Sequence, residues 1–391
     1  MKSTLHASCC APCDQFRYGK CLFFRSKLQT ARRRLTASKR SLTTYSLFNL
    51  FNDAISKTAF KPKEQKQIGP LKVSSMGLGT WAWGNQLLWG YDKSMDPELQ
   101  QLFNLVVSKG INIFDTADSY GTGLLNGRSE ELLGQFVREY PGSDKQRNSI
   151  CIATKLAPYP WRITSGQFVV ACKGSLRRLG MDQIGIAQLH WSTANYQPLQ
   201  ERALWDGLVA LHDQGLVQAV GISNYGPKQM ERIHKYLEKQ GVPLAAAQVQ
   251  YSLLSRGPQQ EETRAVCRDL GVQMIAYSPL ALGMLSGKYD GDNLPKGPRA
   301  ALFRRILPGA QPLLDVLQEI AERRGKTVPQ VAINWCICQD TIPIPGAKNL
   351  EQAEGNLGGL GWRLSSGEQA ALAEVADTVP RGMIQNIFQT K

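Results

Sequence analysis

Four polar side chains suited to carbonyl reduction follow three successive apolar runs of the chain. Asp115 lies at the end of the first run and Tyr120 five residues later, while Lys155 and His190 end the next two runs. As hydride reaches a carbonyl carbon, the oxygen becomes an alkoxide and needs a proton, which a phenol can donate. A lysine ammonium beside the phenol favours the phenolate and is expected to lower the phenol pKa. Asp115 would hold Lys155 charged and in place, and His190 would donate a hydrogen bond to the carbonyl oxygen.

Each of these residues also has an ordinary structural interpretation when it is taken alone. An aspartate near a tyrosine is often a plain loop pair, a strand-terminal lysine is often a solvated charge, and a lone histidine often belongs to a core. The set is informative because four independent positions fit one mechanism. The other two histidines after the leader, His212 and His234, fall on helical patterns and are interpreted as structural.

Short apolar runs alternate with amphipathic stretches from residue 70 onward. Each run has the length of a strand, and most are rich in Val, Ile and Ala, which favours strands. The predicted strands are Met76–Thr80, Ile111–Thr116, Ile150–Lys155, Ile184–His190, Val217–Ser223, Ala246–Tyr251, Val272–Ser278 and Thr341–Pro345. The predicted helices between them include Pro97–Ser108, Glu130–Glu139, Gly166–Leu179, Gln200–Gln214 and Lys228–Gln240.

The regular repetition of these units predicts a single α/β domain, a (β/α)8 TIM barrel over residues 67–391. The competing architecture, a doubly wound sheet, would present G-x-G-x-x-G after its first strand, and the nearest candidate, at 77–84, has the wrong spacing. The long interval between the seventh and eighth predicted strands leaves room for an extra loop near Ala281–Pro312, besides its helix. Because the carboxyl ends of barrel strands form one rim, Asp115, Lys155 and His190 are expected to converge there.

Residues 1–60 are predicted to be a disordered transit peptide. Residues 1–52 hold ten Lys/Arg and a single acid, together with eleven Ser/Thr. Such a segment cannot bury enough apolar surface to offset its ordering entropy, and its composition is typical of organelle targeting. A basic tail without a targeting role is the alternative. Its four cysteines lack the paired spacing of zinc sites, so no metal site is expected.

The net charge of +14 is concentrated in this leader. Residues 1–66 carry a net charge of +11, whereas the remaining 325 residues carry only +3. The nearly neutral body argues against a nucleic-acid partner. No window approaches the roughly 18 uninterrupted apolar residues of a membrane-spanning helix, so no membrane association is expected. The oligomeric state is left open.

Residues 70–391 resemble the aldo-keto reductase superfamily along their whole length. The matching segments are Asn112–Gly121, Ala153–Lys155, Gln188–His190, Gly221–Asn224, Tyr277–Leu280 and Ile344–Gly346. The resemblance implies an NADPH-dependent barrel whose catalytic tetrad is Asp115, Tyr120, Lys155 and His190. Three further segments are similar to the pyridoxal reductases of plant chloroplasts, a branch of that superfamily: Gly79–Tyr91, Ala332–Cys338 and Met383–Thr390. That similarity implies reduction of pyridoxal to pyridoxine in vitamin B6 salvage, and a chloroplast location would explain the leader.

The resemblance also implies which residues bind the cofactor. It places the nicotinamide carboxamide against Ser223, Asn224 and Gln248, whose amides offer both donors and acceptors, and stacks the ring on Tyr277. Segment 278–288 is similar to the family's pyrophosphate clamp. The full predicted set is Gly79, Thr80, Ser223, Asn224, Gln248, Tyr277, Ser278, Leu280, Gly283, Lys288, Arg299, Gly346, Lys348, Gln352 and Asn356.

The adenosine end of the predicted cofactor site contains one departure from the family pattern. Lys348 is expected to pair with the 2′-phosphate, which favours NADPH over NADH. Gln352 and Asn356 fit the adenine side. Similar family members usually carry an acid where this chain has Gly355, so a carboxylate contact to the adenine is expected to be missing.

Aromatic side chains on loops above the rim are expected to enclose a flat aldehyde such as pyridoxal. The predicted substrate-binding residues are Trp81, Trp83, Trp89, Trp161 and Trp191. Some of them could instead pack the barrel mouth as core. A phosphorylated substrate is also left open, with Arg162 or Arg256 as candidate phosphate ligands, although the favoured interpretation of both is a solvated surface charge.

Two other functions stay open at this point. A broad-specificity aldehyde reductase of the same superfamily would show comparable kcat/KM for pyridoxal and for small or lipid-derived aldehydes. A cofactor-sensing regulatory subunit, similar to the β subunits of potassium channels, would bind NADPH tightly with negligible turnover on every aldehyde.

Overall fold

The computed structural model describes residues 65–123, 126–297, 299–380, 382–383, 386 and 388–390. The predicted transit peptide and its cysteines lie outside the described residues. Within them, the chain begins with a hairpin of β1 (Gln65–Ile68) and β2 (Leu71–Ser74). Eight parallel strands follow and pair in chain order. They are β3 (Leu78–Gly79), β4 (Ile113–Asp115), β5 (Cys151–Leu156), β6 (Ile184–Leu189), β7 (Val217–Ser223), β8 (Leu244–Gln250), β9 (Gln273–Tyr277) and β10 (Ile342–Pro343). The eight predicted strands are confirmed in position and order.

The first and last of the eight strands meet, so the sheet closes into a barrel. Gly79 forms a parallel bridge with Gly346, and the Gly77 amide donates to the Pro343 carbonyl at 2.9 Å. A Cβ on Gly79 would lie 2.9 Å from the Ile344 carbonyl oxygen, which explains glycine at this seam. The (β/α)8 barrel is therefore confirmed.

Helices surround the barrel and connect its strands. They are α1 (Gln86–Trp89), α2 (Asp96–Ser108), α3 (Arg128–Arg138), α4 (Asp144–Asn148), α5 (Ser165–Leu179), α6 (Pro198–Asp213), α7 (Pro227–Lys239), α8 (Pro258–Asp269), α9 (Arg299–Arg324), α10 (Val328–Cys338), α11 (Leu350–Leu357) and α12 (Ser366–Thr378). Local sequence sets their ends: α5 starts with a capping box between Thr164 and Gln167, and it stops at Gly180 in a left-handed conformation with φ of 64°. In the described part of the chain, no helix has both the length and the apolar character needed to cross a membrane.

The barrel interior is packed rather than open. Its lower part is filled by small and branched side chains such as Ile113, Ala153 and Ile186. The hairpin, which the sequence did not predict, adds Ile68 and Val73 to the same cluster, and both are completely buried. The hairpin therefore closes the end of the barrel opposite the rim. A packed apolar core lies between the hairpin and the polar residues of the rim.

The predicted loop at 281–312 is wrong in its second half. A short 3-10 helix covers Ala281–Ser286, but α9 begins at Arg299 and continues through Pro308 and Pro312. A proline inside a helix removes a hydrogen bond and normally ends it. Here the buried positions 303, 306, 307, 310, 313 and 314 recur at helical spacing, and their burial outweighs that cost.

The cysteines in the described part of the chain are free thiols. Cys151, Cys172, Cys267 and Cys336 are buried, and Cys338 is half-buried. Burial raises the pKa of Cys151, Cys172 and Cys267 to about 12, so these groups stay protonated at neutral pH. The prediction of buried reduced thiols is confirmed for the four fully buried residues.

Candidate active site

Three neighbouring barrel strands bring the predicted tetrad to one rim. β4 ends at Asp115, Lys155 is the last residue but one of β5, and His190 follows β6 directly. Tyr120 lies in the loop after β4, five residues beyond Asp115. Because the strands are parallel, these positions share the carboxyl end of the barrel, and the four side chains lie together there.

A buried ion pair forms the base of this cluster. Lys155 Nζ donates to Asp115 Oδ1 at 2.6 Å and to the Thr116 carbonyl oxygen at 2.7 Å. Gln248 Nε2 donates to the same Asp115 oxygen at 2.6 Å. Burial raises the pKa of Asp115 and lowers the pKa of Lys155, and each charge opposes the shift of the other. Removing one partner would leave an uncompensated buried charge, which typically costs about 3–5 kcal/mol.

Tyr120 lies directly over this ion pair, and its ring centroid is 4.8 Å from Lys155 Nζ. Burial raises the pKa of Tyr120 well above its ordinary value, and the negative charge of Asp115 and the phenol of Tyr277 act in the same direction. The expectation of a lowered phenol pKa is therefore wrong for the chain by itself, because desolvation of a buried phenolate raises the pKa of Tyr120. Tyr120 is protonated at neutral pH, which is the form a proton donor requires.

His190 faces Tyr120 across the rim with its ring centroid 6.0 Å away and the two planes at 70°. Burial lowers the pKa of His190 well below its ordinary value, and the charge on Lys155 lowers it further. The imidazole is therefore neutral at physiological pH and has one N–H to donate. Ser119 Oγ lies 3.5 Å from Nδ1, and Asn224 Nδ2 donates to the His190 carbonyl oxygen at 3.0 Å.

The residues predicted to bind the nicotinamide carboxamide are joined to one another beside the tetrad. Asn224 adopts a left-handed backbone with φ of 60°, and its Nδ2 also lies 3.2 Å from Ser223 Oγ. Tyr277 Oη donates to Asn224 Oδ1 at 2.8 Å, and burial raises the pKa of Tyr277 to about 12. Gln248 is engaged with Asp115 instead. A carboxamide bound here would share donors and acceptors that already hold the tetrad in place.

The predicted cofactor residues at the barrel seam make structural contacts. Thr80 Oγ1 donates to the Asp115 carbonyl oxygen at 2.8 Å, which ties the end of β3 to the tetrad. Asn356 Nδ2 donates to the Gly346 carbonyl oxygen at 3.3 Å. Gln352 Oε1 accepts from the Lys348 amide at 3.0 Å. These contacts fix the loop after β10 against α11.

Three cations gather at the far side of the rim. Burial lowers the pKa of Lys348, and the positive charges of Arg299 and Lys288 lower it further, so the three groups lie near one another. None of them has a carboxylate within 4 Å among the described residues. Leu282 lies in the segment between β9 and Arg299. Arg299 Nη1 donates to the Leu282 carbonyl oxygen at 2.9 Å and so holds this segment against the start of α9. Clustered cations that lack acidic partners fit the phosphates of a dinucleotide.

The loop between β9 and these cations has an unusual backbone. Positive φ angles occur at Ser278 (51°), Leu282 (58°) and Gly283 (104°). The Leu280 carbonyl accepts from the Gly283 amide at 2.8 Å, which closes a tight turn. This turn lies in the segment that is predicted to close over the pyrophosphate of the cofactor.

Trp83 was predicted to bind substrate, and this prediction is wrong. Its side chain is 1% exposed and packs edge-on against Phe136 with ring centroids 5.5 Å apart. Its Nε1 donates to the Ala347 carbonyl oxygen at 3.1 Å. Trp83 is therefore a core residue that ties the loop after β3 to the loop after β10.

The other predicted tryptophans lie nearer the surface. Trp81 and Trp161 are 38% and 65% exposed, and Trp161 stacks on Tyr159 with centroids 4.7 Å apart. Trp191 contacts the His190 ring at 5.0 Å and stacks on Phe388 of the tail at 4.5 Å. Of the predicted substrate-binding tryptophans, Trp191 makes a ring contact with His190.

The two arginines considered as phosphate ligands are already engaged. Arg162 Nη1 pairs with the buried Asp118 carboxylate at 2.5 Å and donates to the Ala157 carbonyl oxygen at 2.6 Å. Arg256 lies 3.4 Å from Asp377 and donates to the Ala373 carbonyl oxygen at 2.8 Å. Both side chains are largely buried and paired with carboxylates, so the interpretation of either one as a solvated surface charge is wrong.

Sequence reasoning missed Glu201, which organises the loop after His190. This buried carboxylate lies 2.8 Å from Ser192 Oγ, 2.5 Å from the Thr193 amide nitrogen and 2.5 Å from Tyr225 Oη. It thereby joins the segment after His190 to the residue after Asn224. An acid in the first turn of a helix is too common to single out, so no sequence signal marked it.

The tail also reaches the rim, although only its resemblance to relatives drew attention to it. The Thr390 amide donates to the Asn224 carbonyl oxygen at 3.2 Å, and Thr390 Oγ1 accepts from the Gly226 amide at 3.0 Å. Asn386 hydrogen-bonds with the Tyr277 phenol.

The described residues contain no group of three or more His, Cys, Asp or Glu placed to hold a metal ion.

Comparison with known proteins agrees with this geometry. The sequence profile of the Aldo/keto reductase family matches residues 75–377. The chloroplastic pyridoxal reductase of Arabidopsis thaliana is 58% identical over 356 residues, which cover 89% of this chain and 98% of that protein. An aldo-keto reductase of Bacillus subtilis is 29% identical over 319 residues, covering 76% of this chain and 88% of that one.

The barrel fold is also similar to that of a solved structure. The structure of a glycerol dehydrogenase from Gluconobacter oxydans superimposes with a TM-score of 0.67 at 26% identity, covering 82% of this chain and 97% of that one. The matched profile spans most of the chain and contains the barrel strands and the tetrad. The chain belongs to the aldo/keto reductase family, whose members are oxidoreductases that use a nicotinamide dinucleotide.

Proposed function

We propose that this chain reduces pyridoxal to pyridoxine with NADPH and that it does so in the chloroplast. The observation that carries the proposal is the buried Lys155–Asp115 pair beneath a protonated Tyr120 and beside a neutral His190. The substrate is inferred from the likeness to the Arabidopsis pyridoxal reductase. The site geometry supports Tyr120 as proton donor and His190 as hydrogen-bond donor, and the likeness to the relative supports the substrate class.

Tyr120 is the proposed proton donor to the carbonyl oxygen. The phenol is protonated before the reaction because burial raises its pKa. As the proton leaves, negative charge grows on the phenol oxygen, and the ammonium of Lys155 lies near the ring to stabilise it. Asp115 and the Thr116 carbonyl fix that ammonium, so it need not reorganise during the step.

His190 orients the substrate carbonyl in this proposal. A neutral imidazole donates one hydrogen bond without carrying a charge that would compete with Tyr120 for the proton. Its backbone is fixed by Asn224, and the next residues are anchored on Glu201. A nicotinamide dinucleotide held by Ser223, Asn224, Gln248 and Tyr277 would supply the hydride for the carbonyl carbon.

NADPH is proposed rather than NADH because of the cation cluster. Lys288, Arg299 and Lys348 bring positive charge together without carboxylate partners among the described residues, which suits a cofactor that carries an extra phosphate dianion. Gln352 and Asn356 border this region through their bonds to the loop after β10. Ser223, Asn224, Gln248 and Tyr277 are proposed to hold the nicotinamide end.

Pyridoxal is proposed over its 5′-phosphate as the preferred substrate. Arg162 and Arg256 are both paired with carboxylates and do not offer a free phosphate site. Trp191, Trp81 and Trp161 are the remaining candidates for contacts with a flat pyridine ring. A neutral aromatic aldehyde suits such a rim better than a dianion does.

The chloroplast location is inferred from the leader and from the name of the Arabidopsis relative. We propose residues 1–60 as the transit peptide and residues 67–391 as the enzyme domain. Import of the full chain into isolated chloroplasts, with cleavage before residue 67, tests this part. A chain that stays outside chloroplasts would remove the location and leave the enzymology untouched.

NADPH oxidation by the purified protein tests the activity directly. The assay compares pyridoxal with pyridoxal 5′-phosphate and with a panel of small and lipid-derived aldehydes, followed at 340 nm. We expect the highest kcat/KM for pyridoxal and the appearance of pyridoxine. Comparable values for all aldehydes would indicate a broad aldehyde reductase, and tight NADPH binding without turnover would indicate a cofactor sensor.

A further inference from the structure

Trp89 lies among the cations of the proposed cofactor site. It is the last residue of α1, and its ring centroid is 4.7 Å from the Arg299 guanidinium carbon and 5.8 Å from Lys348 Nζ. Arg299 begins α9, and Lys348 follows β10. Three segments that are far apart in the sequence thus meet at one indole ring, which can hold both cations against its π face.

Within the described part of the chain, the indole N–H of Trp89 is unpaired beside these cations. Trp89 Nε1 is buried and has no hydrogen-bond partner among the described residues. Buried indole N–H groups are normally paired, so an unpaired one beside two cations points to an acceptor that binds there. Cation–π contact accounts for the ring but not for the N–H, which the described residues leave free to donate to an acceptor that the two cations attract.

The backbone around Trp89 holds the ring in this position. Asn85 caps α1 by accepting from the Leu88 amide at 3.0 Å, and Gly90 ends the helix in a left-handed conformation with φ of 67°. Trp81 packs edge-on against Trp89 with centroids 5.7 Å apart. The loop after β3 therefore places the Trp89 ring beside the two cations. Its predicted contact with substrate stays a prediction.

We propose that Trp89 binds the cofactor by donating its indole N–H to the 2′-phosphate that Arg299 and Lys348 attract. This inference rests on the proposed use of NADPH and adds a specificity residue to that same site. The ring positions the two cations, and the N–H supplies a neutral donor that does not depend on pH. The proposal separates Trp89 from its neighbour Trp81, whose ring faces neither cation in the contacts described.

Titration calorimetry with two fragments tests this without any catalytic step. The full chain is titrated with adenosine 2′,5′-bisphosphate and with adenosine 5′-diphosphate, which lacks the 2′-phosphate. Trp89→Phe keeps an aromatic ring but removes the N–H, and Trp335→Phe, which makes the same change at a buried indole stacked on Tyr251, is the matched control. We expect Trp89→Phe to weaken the bisphosphate about 10-fold and to leave the diphosphate within about 2-fold, since a hydrogen bond to a charged group is lost.

A double-mutant cycle with Lys348→Met locates the effect. If Trp89 and Lys348 serve the same phosphate, the penalty of Trp89→Phe shrinks in the Lys348→Met background. Unchanged bisphosphate affinity in Trp89→Phe, or equal losses for both fragments, would overturn the inference. Failure of the wild-type chain to prefer NADPH over NADH would instead remove the proposed cofactor, so the two failures are told apart.

Discussion

Tyr225 donates a 2.5 Å hydrogen bond to the carboxylate of Glu201, and both side chains are buried. The same carboxylate accepts from Ser192 and Thr193, which lie two and three residues after His190. Glu201 therefore connects the loop that carries the proposed carbonyl-orienting histidine to the segment after Asn224. The Thr193 amide donates to one carboxylate oxygen, and Trp205 Nε1 and Gln229 Nε2 donate to the other. Because these N–H groups can only donate, both oxygens of residue 201 must accept.

Glu201→Gln is expected to disturb this connection because an amide places N–H donors against donors. We expect the free energy of unfolding to fall by about 2–3 kcal/mol and kcat to fall more than NADPH affinity does. Glu231→Gln, the same change at an exposed position of α7, is the control and should leave both unchanged. Denaturant unfolding and steady-state kinetics measure the two effects. A Glu201→Gln enzyme with wild-type kcat would show that the loop does not position His190.

Tyr120→Phe is expected to remove the proton donor while keeping the ring over Lys155. Reduction of pyridoxal should fall by about 10²-fold or more, because the developing alkoxide then has no positioned acid. NADPH affinity, measured by fluorescence titration, should change little. Tyr140→Phe, a buried tyrosine that packs on Phe103 away from the rim, is the matched control. Retained turnover in Tyr120→Phe would take the acid role away from Tyr120.

The titration of His190 should be visible in the pH dependence of stability. Its pKa is well below the ordinary value in the folded chain, through burial and through Lys155, and returns to about 6.5 on unfolding. The unfolded chain therefore binds a proton that the folded chain refuses, and the free energy of unfolding falls as pH drops below about 6.5. His190→Gln should have a shallower fall between pH 6.5 and 5 in urea unfolding. Equal slopes for the two proteins would contradict a buried neutral His190.

Trp83 and Trp161 were both predicted to bind substrate, but they are expected to contribute very different amounts to the free energy of unfolding. Trp83→Ala is expected to cost about 3–5 kcal/mol in unfolding free energy, because it empties a fully buried site. Trp161→Ala, at a mostly exposed position, should stay within about 0.5 kcal/mol of wild type. Thermal and urea unfolding of the two variants measure the difference. Similar losses for both would mean that Trp161 is buried by something the single chain does not contain.

Much of the fold and the proposed tetrad followed from local sequence. Strand-length apolar runs, helical periodicity and glycines such as Gly180 report the backbone state of each segment, because these signals depend on neighbours within a few residues. Asp115, Lys155 and His190 could be placed at one rim because parallel strands align their carboxyl ends. The kind of chemistry then followed from residue types.

The tertiary structure decided what each polar or aromatic group touches and how deeply it is buried. Trp83 is a core residue, and Trp89 contacts Arg299 and Lys348. Both outcomes arise because the segment after β10 and the start of α9 pack against the loop after β3. The pKa of Tyr120 rises because desolvation depends on every element packed around the phenol, which no spacing rule records. Sequence alone determined the barrel and the positions of the proposed catalytic residues, whereas contacts between distant segments set the partners of these residues, their protonation and the division between core and site.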